Sequence, residues 1–169
     1  MKVATLHIIA ALGFVLASCG NIQHGTTVDR SNPNLRLENG VLSLDGTPFT
    51  GQLVAYHENG SLSHQAEYSQ GRKQGVETKW YADGQLKEER EYQNGIKFGT
   101  HKGWWENGLI KFTYEFNESG LYEGSRCEWY VSGQLFREFN YVNGEEVGSQ
   151  KLWTKTGKIK GNYEVDFAR

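Results

Sequence analysis

The strongest constraint on this chain is a sequence unit that recurs five times in its last two thirds. The units begin at glycines spaced 24, 24, 25 and 24 residues apart, which are Gly51, Gly75, Gly99, Gly124 and Gly148. An aromatic residue stands five positions after each of these glycines, at Tyr56, Trp80, Trp104, Trp129 and Trp153. So many matched positions indicate a repeat architecture in which each unit is one supersecondary element.

Each unit predicts one β-hairpin. A turn dipeptide such as Asn59-Gly60 or Asp83-Gly84 follows the aromatic, and Asn-Gly or Asp-Gly between alternating strands is the strongest short hairpin signal. The turn-forming glycines are Gly60, Gly84, Gly108, Gly133 and Gly157. We expect type I′ turns here, with positive φ at both central residues. On the second strand, alternation predicts Leu86, Arg90 and Tyr92 on one face.

The predicted fold is all-β, an elongated single-sheet meander of repeated hairpins. A single hairpin is not stable alone in water, so the five units are expected to stack in series. Their predicted bounds are 51–74, 75–98, 99–123, 124–147 and 148–169. Residues 35–50 contain two further turn signals and predict a lead-in hairpin before the first unit. Lysines in the last unit are expected to discourage pairing at an open sheet edge.

The N-terminal residues have the pattern of a bacterial lipoprotein signal. Lys2 precedes a short apolar run that ends in "LASC", residues 16–19, which resembles the lipobox. We therefore expect a helical signal peptide over residues 1–18 and an acylated Cys19 that anchors the chain to a membrane. A plain secretory signal with an incidental cysteine, or an uncleaved anchor, remains open. Gly20 after the cysteine resembles the enterobacterial sorting rule, which implies the outer membrane over the inner one in a Gram-negative host.

This interpretation predicts a location in the bacterial cell envelope, with the repeats facing outside the cytoplasm. Residues 19–34, the lipidated cysteine and the segment after it, are rich in Gly, Thr, Asn and Ser and show no apolar periodicity. They predict a flexible tether between the membrane and the sheet. With Cys19 acylated, Cys127 has no partner for a disulfide, and we expect a packed or half-buried thiol.

The sequence contains no motif that indicates catalysis, a metal or a cofactor. The net charge of −2 and the lack of a basic run argue against nucleic-acid binding. His57, His64 and His101 are expected to be exposed on strands, and no cysteine or carboxylate cluster completes a metal site. Glutamates recur sixteen residues after the unit glycine, at Glu67, Glu91, Glu115 and Glu164. Equivalent carboxylates would lie about 10 Å apart, two strands away, which favours a solvated face over an active site.

The unit pattern resembles the bacterial variant of the MORN repeat. The resemblance rests on a glycine, an aromatic five residues later, the Asn/Asp-Gly turn and a leucine or isoleucine, together with "TPFTG" at residues 47–51. Proteins with this pattern form a YwqK-like family, often labelled the antitoxin component of a toxin–antitoxin pair. The resemblance implies a MORN-like repeat sheet, and the family label adds an antitoxin-like component as an alternative function.

The aromatic pairs within the units are the candidate binding surface. Adjacent residues on a strand point to opposite faces, so one member of each pair should lie outside the packed face. The candidate residues are Trp80, Tyr81, Trp104, Trp105, Trp129, Tyr130 and Trp153. We expect either packing between neighbouring units or a strip that docks another protein. An alternative occupant of such a strip is cell-wall glycan or membrane lipid.

Overall fold

The computed structural model describes residues 26–166, and this part of the chain is built from fifteen β-strands with no helix. The strands are β1 Thr26–Asp29, β2 Leu35–Glu38, β3 Val41–Leu44, β4 Thr47–Pro48, β5 Gly51–Tyr56, β6 Leu62–Ser69, β7 Arg72–Trp80, β8 Leu86–Gln93, β9 Ile96–Trp104, β10 Ile110–Phe116, β11 Gly124–Trp129, β12 Leu135–Val142, β13 Glu145–Glu146, β14 Gly148–Trp153 and β15 Ile159–Val165. Residues 26–166 contain no helix that is long and apolar enough to cross a membrane. The predicted signal peptide and the predicted lipidation site, Cys19, lie outside the described residues.

The repeat units form one 12-stranded sheet in which neighbouring strands follow chain order. Strands β5 to β12 pair antiparallel one after another, then β14 and β15 continue the sheet, and the short β13 pairs with β12. The sheet begins with β1, which is parallel to β5, and ends at β15. The predicted all-β meander of repeated hairpins is therefore confirmed. The strands β2, β3 and β4 form a separate lead-in sheet.

The hairpin turns inside the units are not of the predicted type. Gly60 has a φ of 84°, but Asn59 before it is not among the residues with positive φ. The Gly60 N–H donates to the His57 carbonyl, and the His57 N–H donates to the Ser61 carbonyl. This is a type I turn closed by a glycine in the left-handed region, the usual three-residue hairpin loop. The side chain of Asn59 accepts from the Ser61 N–H, which explains why Asn and Asp suit this position.

Two-residue turns with positive φ at both positions occur instead between units and in the lead-in sheet. They lie at Asn39-Gly40, Asp45-Gly46, Gln70-Gly71, Asn94-Gly95 and Asn143-Gly144. The remaining turn between units, before Gly120, holds the extra residue of the third unit and has the longer, bulged form instead. The insertion is thus absorbed in a turn and leaves the strand register of its neighbours unchanged.

Every unit carries a β-bulge at the same place. In the second unit, Lys79 pairs with Glu88 but Trp80 pairs with Leu86, so Lys87 is the extra residue. The equivalent shift occurs beside Tyr56, Trp104, Trp129 and Trp153. A bulge reverses the alternation of side chains beyond it. The expectation that Leu86 shares a face with Arg90 and Tyr92 is therefore wrong, and Leu86 lies on the opposite face with Trp80.

The lead-in sheet and β1 close the first end of the repeat array. Strand β1 pairs with β5 from Thr26 to Asp29, so the predicted tether is wrong for this part of residues 19–34. The Val28 side chain is only 6% exposed. Because β1 has only four residues, its alternation is too short for the sequence periodicity to predict a strand. Val28 joins Leu42, Phe49 and Leu53 in the main apolar cluster, against which Tyr68 packs. The lead-in segment pairs as predicted over β2 and β3, with β4 as a third strand.

Candidate interaction surface

The two faces of the 12-stranded sheet differ in charge. Residues opposite each other in the register share a face, so the pairing fixes which side chains lie together. The face that contacts the lead-in sheet, called the cationic face below, carries Lys73, Lys79, Arg90, Lys97, Arg126 and Arg137 against Glu77, Glu88 and Glu128. The other face, called the acidic face, carries Glu67, Glu89, Glu91, Glu115, Glu138 and Glu164 against Arg72, Lys102 and Lys151.

The recurring glutamates predicted from the sequence all lie on the acidic face. Glu67 Oε1 accepts from Gln52 Nε2 at 2.9 Å, and Glu115 Oε2 accepts from Thr100 Oγ1 at 2.9 Å. Asn140 replaces glutamate in the fourth unit and accepts from Ser125 in the same way. In these three units the side chain bonds the residue after the unit glycine, whereas Glu91 lies opposite Val76 and Ser149 bonds Asn162 in place of Glu164.

The candidate aromatic strip is divided between the two faces. Trp80, Trp104, Trp129 and Trp153 each pair with the aliphatic residue beyond the turn, and alternation places them on the acidic face. All four are half-buried, whereas Tyr56 and Ile159, at the two ends of this column, are 55% and 64% exposed. This gradient indicates that neighbouring units cover the column. The strip is therefore not one continuous surface.

The second member of each pair holds the next unit in place. Tyr81 Oη donates to the Trp104 carbonyl at 2.8 Å, Trp105 Nε1 to the Trp129 carbonyl at 3.1 Å, and Tyr130 Oη to the Trp153 carbonyl at 3.0 Å. His57 Nε2 makes the same contact with the Trp80 carbonyl at 3.0 Å. These side chains are half-buried and form a repeated hydrogen-bond ladder between consecutive units.

Removing one rung of this ladder should weaken the array modestly. Tyr130→Phe keeps the ring and deletes only the hydroxyl that reaches the Trp153 carbonyl, so we expect a loss of about 1 kcal/mol in the free energy of unfolding. Urea-induced unfolding of the full chain would measure this loss. Tyr56→Phe, whose exposed hydroxyl makes no hydrogen bond within residues 26–166, is the matched control and should change stability by less than about 0.5 kcal/mol.

An aromatic groove opens across the third to fifth units, and most of its lining lies on the cationic face, although Trp129 of the acidic face also borders it. It has a volume of about 620 Å³ and is lined by Trp105, Lys111, Phe112, Tyr114, Glu128, Trp129, Tyr130, Val131, Phe136 and Lys155. Lys111 Nζ lies 4.4 Å from the centre of the Trp105 ring, and the Tyr130 and Phe136 rings are 5.1 Å apart. Val131 at the turn is 58% exposed. The groove therefore presents uncovered apolar and aromatic surface.

The carboxylate in this groove is already neutralised. Glu128 is held by Arg126 at 3.0 Å and by Arg137 at 3.1 Å, and it accepts a hydrogen bond from Tyr114 Oη at 2.9 Å. Burial and this hydrogen bond raise the pKa of Tyr114 to about 12, so its hydroxyl remains a donor at neutral pH. The basic groups Lys111 and Lys155 make no ion pair within residues 26–166 and give the groove a positive character.

A buried ionic cluster lies at the other end of the cationic face. Glu77 is 5% exposed; its Oε1 accepts from His64 Nε2 at 2.7 Å and from Lys73 Nζ at 2.5 Å. Burial alone would raise the pKa of the Glu77 carboxyl, but the hydrogen bonds from His64 and Lys73 hold this pKa well below its ordinary value. The expectation that His64 is exposed is therefore wrong.

Apart from His64, the buried polar residues of the cationic face within residues 26–166 occupy one repeat position. Two residues after each unit glycine stand Leu53, Glu77, His101, Arg126 and Gln150, which are buried or half-buried in every unit. His101 is 1% exposed between Tyr92 and Phe116, donates from Nε2 to the Glu91 carbonyl, and has a pKa lowered by burial. The sequence pattern does not reveal this column, because the residue type at the position changes from unit to unit although its spacing does not.

The other predicted residues have ordinary surroundings. Cys127 is half-buried on the acidic face beside Thr113, and burial raises the pKa of its thiol. The turn-forming glycines all have positive φ. Within residues 26–166, no three His, Cys, Asp or Glu side chains lie close enough together to hold a metal ion.

The fold and these surfaces define a β-hairpin repeat module whose two sheet faces differ in charge. Residues 73–94, which span β8 and most of β7, match the MORN repeat variant. This match, together with the repeat architecture, indicates a repeat-containing interaction or binding module. No curated protein is similar enough in sequence to count as a match.

Proposed function

We propose that this protein is a membrane-anchored, extracytoplasmic lipoprotein whose MORN-like sheet is a scaffold for binding another protein. The observation that carries the binding function is the aromatic groove on the cationic face. It combines half-buried aromatic rings, open to solvent on one side, with positive charge, whereas the tryptophans of the acidic face form a half-buried column beside carboxylates. Aromatic residues dominate the energetics of protein interfaces, because they bury large areas at low entropic cost.

The partner chemistry follows from the charges of the groove. Glu128 is occupied by its two arginines, so Lys111 and Lys155 are the groups that a partner would meet. A partner segment with an apolar anchor and flanking carboxylates would complement this surface. Complementary charges accelerate association and exclude wrong partners, and the effect weakens as salt increases.

The membrane anchor rests on the sequence. Lys2, the short apolar run and the "LASC" segment ending at Cys19 support a lipidated N-terminus in the bacterial cell envelope. No catalytic role, cofactor or nucleic-acid partner is part of the proposal. The antitoxin label of the YwqK-like family suggests one kind of partner, a toxin that the scaffold would hold, but an envelope location makes other envelope proteins the first candidates to test.

A second candidate function is binding of cell-wall glycan. The ring faces of Trp105, Tyr130 and Phe136 beside polar Lys and Glu side chains favour it, because sugar rings stack on aromatic platforms flanked by hydrogen-bonding groups. Cosedimentation with purified peptidoglycan tests it. Binding that survives the charge changes described next but is lost on Trp105→Ala would favour glycan over protein.

Crosslinking in living cells, followed by mass spectrometry, tests the protein scaffold. The double variant Lys111→Glu, Lys155→Glu reverses the charge of the groove at its rim and should reduce recovery of the crosslinked partner at least tenfold. The matched control, Lys102→Glu with Lys151→Glu, makes the same change on the acidic face and should retain the partner. Equal recovery from both double variants, or equal loss, would contradict the proposal.

A further inference from the structure

A second groove lies between the lead-in sheet and the first two repeat units. This N-terminal groove has a volume of about 510 Å³, within the usual range for small-molecule sites. Its lining residues are Arg30, Leu35, Leu37, Leu42, Leu53, His64, Tyr68, Lys73, Glu77, Lys79, Arg90 and Tyr92. It is separate from the aromatic groove, because the two share no lining residue.

The two sides of the N-terminal groove have opposite character. Leucines from the lead-in sheet form one side, and Leu37 among them is 68% exposed, so an apolar wall stands open. The repeat units form the other side with Lys73, Lys79 and Arg90. An apolar wall that faces a row of cations suits a ligand with one apolar part and one anionic part.

The positive charge of this groove exceeds what its carboxylates neutralise. One carboxylate, Glu88, forms ion pairs with both Lys79 and Arg90, each at 3.0 Å. Arg30 makes no side-chain hydrogen bond or ion pair within residues 26–166. His64, which lines the groove and is itself more than nine-tenths buried, has an Nδ1 atom with no hydrogen-bond partner in the same part of the chain. That nitrogen has no accessible surface, so it is not a contact for a ligand in the groove, and Arg30 is the unpaired group that a bound anion would meet.

We propose that the N-terminal groove binds a free amphiphilic carboxylic acid, an unbranched apolar chain that ends in a carboxylate. The chain lies along Leu35 and Leu37, and the carboxylate faces Arg30, Lys79 and Arg90. This site goes beyond the scaffold function, because it uses different residues at the other end of the cationic face. A ligand there would bridge the lead-in sheet to the repeats and stabilise their contact, since it binds only the folded arrangement.

Isothermal titration calorimetry with octanoate tests the proposal. The full chain carries Cys19→Ser, so that no acyl group of its own competes. Octanoate should bind at least tenfold more tightly than 1-octanol, which lacks the charge, and than acetate, which lacks the chain. Leu37→Ser should weaken octanoate binding about fivefold by removing apolar contact. Leu121→Ser, an exposed leucine outside the groove, is the matched control and should leave the affinity unchanged.

Three results would overturn the proposal. The first is equal affinity of the protein for octanoate and 1-octanol. The second is equal octanoate affinity of the Leu37→Ser and Leu121→Ser variants. The third is no octanoate binding at millimolar concentration. A different outcome is cosedimentation of the full chain with vesicles that contain an anionic lipid. If Leu37→Ser abolishes this cosedimentation, the ligand of the groove is a membrane lipid and not a free acid. The Lys111→Glu, Lys155→Glu variant separates the two functions: it should bind octanoate normally, so that failure at one groove does not imply failure at the other.

Discussion

Glu77→Gln should destabilise the protein by about 3 kcal/mol at neutral pH, the largest effect that we expect from a single change of charge. The substitution keeps the shape of the side chain but leaves Lys73 without its buried carboxylate. Lys73 is partly exposed, so the loss comes mainly from the two charge-assisted hydrogen bonds that the buried carboxylate accepts from His64 and Lys73. Urea-induced unfolding of the full chain would measure the loss.

The pH dependence of this effect follows from the lowered pKa of Glu77. A carboxyl whose pKa is lower in the folded than in the unfolded state stabilises the fold above its unfolded value of about 4.3. This contribution is lost as the pH falls toward the folded-state pKa, so the gap between native and Glu77→Gln should narrow below about pH 4. Glu91→Gln, on the acidic face, should stay within about 0.5 kcal/mol of the native chain. A gap that does not change with pH would contradict the charged state of Glu77.

Gly71→Ala should cost about 3 kcal/mol, because the lead-in sheet packs directly on this glycine. The residue has a φ of 77°, and a Cβ atom there would lie 2.4 Å from Val41 Cγ1 and 2.7 Å from the Leu42 carbonyl oxygen. The Gly71 carbonyl also accepts from the Leu42 N–H, and its N–H donates to the Phe49 carbonyl. The cost combines the strain of an alanine at positive φ with the clash of its Cβ atom against Val41 and the Leu42 backbone.

Gly95→Ala is the matched control for this prediction. It occupies the same place in the next unit with a φ of 82°, but the nearest atom to its added Cβ would be Arg72 Cβ at 3.6 Å. We therefore expect only the conformational penalty of about 1 kcal/mol. Urea-induced unfolding and limited proteolysis of the lead-in segment would compare the two variants. Equal losses would show that the lead-in sheet does not depend on close packing at Gly71.

The repeat makes the hairpin architecture predictable from the sequence, but it does not predict the β-bulges or the turn type inside each unit. Periodicity identifies the hairpins because every unit repeats the same pattern of turn, aromatic and aliphatic residues. It does not identify the bulge at Lys87, since a bulge depends on pairing between strands and reverses the faces only beyond that residue. The sequence does not distinguish the predicted type I′ turn from the observed type I turn, because Asn59-Gly60 suits both a two-residue loop and the last part of a three-residue loop.

The candidate site was harder to predict than the fold. The aromatic pairs were identified, but Tyr81, Trp105 and Tyr130 each bond a carbonyl 23 or 24 positions ahead, which a single unit cannot reveal. The buried cluster around Glu77 depends on the pairing of β6 with β7, which brings together His64 and Glu77, 13 positions apart. The charge difference between the faces also requires the register. Sequence patterns thus predict what each unit is, and pairing decides which side chains meet.

The ladder between units has a consequence for how such a chain can change its length. Each rung joins a side chain near one turn to a carbonyl at the same place in the following unit, and the turns make parallel contacts, as between Asn107 and the Val131 carbonyl. Deleting or duplicating one whole central unit would bring an equivalent donor opposite an equivalent acceptor. Descent by gain and loss of single hairpins would therefore preserve the junctions while moving the aromatic groove nearer to, or farther from, the N-terminal groove.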